Sequence, residues 1–206
     1  MKVPNSVHSA HPWVMNRIAP DFRLLDVWAV PIEGAADEFD SALDLMTAFD
    51  PAGAESTVTR LLFRVRFWLG DLFGWDVPRQ RPIPGCSETT LEARLPEDLR
   101  GSAGDHVVSS AMQRAAGGFA PLYRTDSEWA AELSNGTVHG VLQLTWVDEG
   151  AGRFRARMGV YVKPRGRLGG AYMQFIEPFR QYVVYPALMR QIARTWRSQG
   201  GTVPSR

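Results

Sequence analysis

The chain has a single cysteine, Cys86, so no disulfide can form within it. That suits a reducing compartment, and a cytoplasmic protein is expected. There is no excess of either charge: the formal net charge is +1. Charge alone therefore gives no reason to expect a nucleic-acid or polyanion partner. No run of about 18 apolar residues occurs, so no helical membrane span is expected. The first residues lack the apolar core of a signal peptide. No G-x-S-x-G, H-E-x-x-H or G-x-G-x-x-G spacing is present. His8 and His11 are close, but with no third ligand nearby they predict no metal site. No cofactor is expected. Cys86 has no neighbour that would activate it as a nucleophile.

Aromatic residues are abundant, with seven tryptophans and ten phenylalanines in 206 residues. Such side chains fill cores and line ligand pockets. The length favours one domain over 1–206, with an extended arm at 1–20 broken by Pro4, Pro12 and Pro20. Arg23 to Val30 reads as a strand that stops at Pro31. Asp37 to Phe49 reads as an amphipathic helix with acids in its first turn, and Thr57 to Phe73 as a second helix. Residues 76–118 read as an irregular insertion holding one short helix near Glu88–Leu95.

Alternation then takes over. Val138, Gly140, Leu142, Leu144 and Trp146 share one side of a strand, as do Ala156, Met158, Val160 and Val162 of the next. Asn135-Gly136 predicts a two-residue hairpin turn before them. The segment 128–134 then becomes the first strand of a three-stranded meander; a helix over 126–134 is the rival reading, since Thr125 and Glu128 resemble a capping box. The predicted turns set Ala131 opposite Gly140 and Trp129 opposite Leu142, then Leu144 opposite Ala156 and Leu142 opposite Met158. A helix over 171–196 covers the apolar side, giving an α+β domain. Pro178 and Pro186 predict kinks or a break in it.

Tyr161-Val162-Lys163-Pro164, Gly166, Leu168-Gly169, Tyr172 and Pro178-Phe179-Arg180 resemble a bacterial family within the START-like (SRPBCC) superfamily. Asp26-Val27-Trp28, Leu69-Gly70 and Gly74-Trp75 extend the resemblance over most of the chain outside 76–118. It implies the helix-grip fold, a curved antiparallel sheet wrapped on a long C-terminal helix. It also implies a cavity for lipids, polyketides or other apolar ligands; some members are cyclases or hydratases. It carries over no catalytic set.

Two groups of candidate residues follow. The predicted ligand wall is Trp28, Trp129, Ala131, Gly140, Leu142, Leu144, Trp146, Ala156, Met158, Phe175, Phe179 and Tyr182, with Ala131, Gly140 and Ala156 leaving space between larger neighbours. The plainer alternative is a filled core. Asp26, Tyr123 and Tyr172 are the candidates for chemistry on that side. Glu132 opposite His139, beside Tyr161, is a weaker catalytic candidate: a carboxylate fixes an imidazole tautomer, but the row is predicted to face solvent. Lys163 to Gly170 reads as a turn with solvated charges. Binding of a hydrophobic small molecule is the leading expectation, and a cyclase- or isomerase-type enzyme on a polyketide-like substrate the alternative. A membrane-surface role for the basic C-terminal helix is a third, and a homodimer stays open.

Overall fold

A computed structural model describes residues 1–48, 89–103, 119–134, 138–165, 181–182 and 185–203. The predicted helix 57–73, Cys86, the Asn135-Gly136 turn, and Tyr172, Phe175 and Phe179 lie outside these residues. The described part is α+β, with a six-stranded antiparallel curved sheet and a C-terminal helix. Strands β1 (Lys2–Val3), β2 (Arg23–Gly34), β3 (Ala120–Arg124), β4 (Glu128–Ser134), β5 (Val138–Asp148) and β6 (Phe154–Pro164) lie in the order β1-β2-β6-β5-β4-β3. Helices α1 (Asn5–Ser9), α2 (Val14–Ile18), α3 (Phe39–Ala48) and α4 (Tyr185–Ser198) flank it.

The meander forms as strands, and 128–134 is β4 rather than a helix. Its register is shifted by two from the prediction at both turns. Ala131 pairs with Leu142 and Trp129 with Leu144. Leu144 then pairs with Met158 and Trp146 with Ala156. At β5–β6 the connection is tighter than predicted, because Gly150, Ala151 and Gly152 take consecutive left-handed conformations and Asp148 pairs directly with Phe154. A shift of two keeps every side chain on its predicted face. It does separate Gly140, Ala131 and Ala156 into different cross-strand rows, so the predicted patch of small residues does not form.

Strand β2 runs through Pro31 to Gly34 instead of stopping. Irregular pairing between Ala29 and Glu33 leaves the proline without a ladder bond to donate. The apolar face of the sheet packs on α3 and α4, through Leu43 and Met46 from one and Met189, Ile192 and Trp196 from the other. Tyr185, Ala187, Met189, Ile192, Ala193 and Trp196 are the buried side of α4, while Arg190, Arg194 and Arg197 are exposed. The apolar stripe of Tyr185–Ser198 is thus covered by the sheet; the rest of the helix predicted over 171–196, which carried the membrane-surface expectation, lies outside the described residues apart from 181–182. No helix among the described residues is long and apolar enough to cross a membrane.

The opposite face is covered too. The first 20 residues are not a single extended arm: Pro4, Pro12 and Pro20 fall before, between and after two short helices rather than inside them. Met15, Ile18, Phe22, Leu91 and Leu95 pack there on Tyr123, Ala130, Val141 and Tyr161. Asp21 binds both Arg94, at 2.6 Å, and Lys163, at 2.9 Å, tying arm, insertion and β6 together. These two cations hold the Asp21 carboxyl well below the usual carboxylate range.

Candidate functional site

Among the described residues, the apolar face carries one buried carboxyl. After an irregularity at Leu25, Asp26 pairs with Val160 and Trp28 with Met158, so both sit on this face. Asp26 is fully buried. Its cross-strand row continues through Val160, Leu142 and Ala131. Leu142 and Val160 are only partly buried against the core, as is Trp28, whose ring lies 4.9 Å from that of Tyr185. Beside this row is a small cavity of about 10 Å³ lined by Met46, Thr47, Trp129, Leu142, Gln143, Leu144 and Met158. That is room for roughly one water. Trp146, Leu144, Ala156 and Met158 are buried in the core itself, and Tyr182 is 79% exposed and lines no interior space among the described residues.

The arm face holds the polar groups. Glu132 and His139, predicted to face solvent, are buried, and His139 Nε2 lies 2.6 Å from Glu132 Oε1. The edge of Phe22 closes over His139 at 4.8 Å. Alternation marked these residues as outward-facing, but it could not show that the arm lies over them. His139 is opposite Lys163 rather than Tyr161. Tyr123 is fully buried on this same face, so it does not reach the apolar side. Its hydroxyl donates to Glu128 Oε1 at 2.5 Å, and burial together with that carboxylate raises its pKa.

Glu128 is the hub of this face, and sequence reasoning missed it. Its carboxylate also accepts from Gln143 Nε2 at 2.6 Å and from the backbone N–H groups of Val14 and Met15 at 2.8 and 3.2 Å. Those are the first, otherwise unpaired amides of α2. A carboxylate only accepts, so Gln143 turns its amide nitrogen to Glu128 and its oxygen to His8. His8 then donates from Nε2, at 2.8 Å. Burial lowers the pKa of His8, and Arg157 and His11 add to this against the Gln143 hydrogen bond. The signal that could have revealed this face is the apolar content of Trp13, Val14, Met15 and Ile18, which needs a surface to cover.

His8 is thus engaged with Gln143, and His11 stacks on Trp13 at 4.1 Å. No group of three or more metal-binding side chains occurs among the described residues. Arg165 donates to Ser134 Oγ at 3.0 Å, so neither it nor Lys163 is simply solvated.

A family model described as "Protein of unknown function (DUF2867)" matches residues 18–187. The chain belongs to this family. No curated protein matches it, and no solved structure does. The match begins within α2 and ends in α4, and so takes in Asp26 and the whole sheet from β2 to β6.

Proposed function

We propose that this DUF2867 protein binds a hydrophobic small molecule, lipid- or polyketide-like, against the apolar face of its sheet. The observation that carries this reading is the row Asp26–Val160–Leu142–Ala131: a fully buried carboxyl in line with two apolar side chains that the core only partly covers. Pockets for such molecules are mostly apolar with a few placed polar groups. The helix-grip resemblance of the sequence points to the same side of the sheet. The cavity beside this row holds roughly one water, so a ligand must widen it by moving side chains such as Leu142 or Met158. Native mass spectrometry of the freshly purified full chain, alone and with indane as an apolar probe, tests the reading. A one-to-one adduct that weakens in Leu142→Lys supports it, and the absence of any adduct overturns it.

Asp26 favours a second reading, a cyclase- or isomerase-type reaction begun by removing a proton next to a carbonyl. Exchange of the α-hydrogens of 1-indanone in deuterated water reads that step. Exchange catalysed by the wild type and lost in Asp26→Asn supports it; equal exchange in both removes it.

A further inference from the structure

Among the described residues, four tryptophans belong to or border the apolar core, and their indole N–H groups divide by position. Trp146 donates to the Ala35 carbonyl at 3.0 Å, and Trp196 to the Thr202 carbonyl at 2.9 Å. Trp28 and Trp129 have buried indole nitrogens with no hydrogen-bond partner. These two occupy one cross-strand row, Trp28–Met158–Leu144–Trp129, directly next to the row of Asp26. Trp129 also borders the cavity, with Leu142, Leu144 and Met158. Buried donors are nearly always paired, because an unmet N–H loses its water without compensation. Within the apolar core Trp146 and Trp196 obey this rule and the two indoles in the row beside Asp26 break it; on the arm face Trp13 breaks it as well.

We infer that the molecule bound on this face carries an acceptor oxygen that pairs with the indole N–H of Trp129, with Trp28 offering a second donor at the other end of the row. This rests on the binding reading above and narrows its ligand class. The acceptor is neutral, a ketone or ester carbonyl, because a carboxylate in apolar surroundings needs more than one neutral donor to offset its lost hydration. Four strands at their usual spacing put the ends of the row roughly 14 Å apart. One oxygen cannot serve both indoles, so a longer ligand would carry two.

The test uses the full chain with ¹⁵N-labelled tryptophan and two probes of one shape, indane and 1-indanone, which differ by a carbonyl. The expected result is that indanone binds roughly five- to tenfold more tightly than indane, the size of one added hydrogen bond. The indole N–H signal that disappears in Trp129→Phe shifts downfield with indanone and not with indane. In Trp129→Phe the affinity ratio falls towards one. Equal binding of both probes, with that signal unmoved, overturns the acceptor inference and leaves the binding reading standing; a buried water would then be the partner of the indole. If neither probe binds, the binding reading falls and this inference falls with it. Where the phenylalanine variant folds poorly, the affinity ratio of the two probes in the wild type decides the matter: a ratio near one overturns the inference.

Discussion

The two faces of the sheet are buried by different means. On one, α3 and α4 press aliphatic and aromatic side chains onto Leu144, Met158 and Ala156. On the other, a thin cover of two five-residue helices is held by hydrogen bonds from the α2 amides to Glu128 and from His8 to Gln143, as well as by packing. A long amphipathic helix can be anchored by burial alone. A five-residue helix cannot, because it is too short to hold its own shape and its amides need outside partners. Glu128, Gln143 and His8 are therefore explained as fasteners. Asp26 is the buried acid of the other face, where packing suffices.

The largest expected effect comes from removing the hub. Glu128→Ala strands four donors in a dry interior and should cost about 4 kcal/mol in urea unfolding. Leu144→Ala, which leaves a void on the apolar face, should cost about 3 kcal/mol. If the order reversed, the arm would be held by packing, and the contrast between the faces would break. A third variant probes the packing of α4 through Trp196. A β-carbon on Gly201 would meet the Trp196 ring at 2.2 Å, so Gly201→Ala should lower stability by about 2 kcal/mol.

The smallest expected effect is a pH dependence. The folded-state pKa of His8 lies below its ordinary value of 6.5, so the unfolded chain takes up the proton first as the medium acidifies. The His8 contribution is constant above pH 6.5 and is lost as pH falls from there to the folded value. The difference in stability between wild type and His8→Gln should therefore be flat at neutral pH and shrink in that window. A difference independent of pH would show that His8 acts only through its shape.

Much of the fold was legible because alternation survives errors of two. Leu142, Leu144, Trp146 and Met158 fell on the correct face although both turn lengths were misjudged. The strand identity of 128–134 was legible for the same reason. The cover on the other face was not. Glu128, Glu132, His139 and Gln143 occupy alternate positions, as solvent-facing residues do, and it is the arm, over 100 residues earlier in the chain, together with Leu91 and Leu95 that makes that face an interior. Of the candidates for chemistry, Asp26 was placed correctly beside Trp28 on the apolar face, because proximity along one strand fixed the relation. Tyr123 was not, since nothing local says which face an edge strand with irregular pairing presents.

The strand order has a consequence for synthesis. β2 is made early, yet its inner neighbour is β6, and Arg23 pairs with Val162. At about 5–20 residues per second, β2 is made and then waits roughly 7 to 28 seconds for its partner. An apolar strand with a bare edge is open to wrong pairing during that time. Pro31 and the charged Arg23, Asp26 and Glu33 interrupt it, as gatekeeper residues do. The proline and charges that stand within this strand of the finished sheet thus guard the nascent chain before that sheet exists.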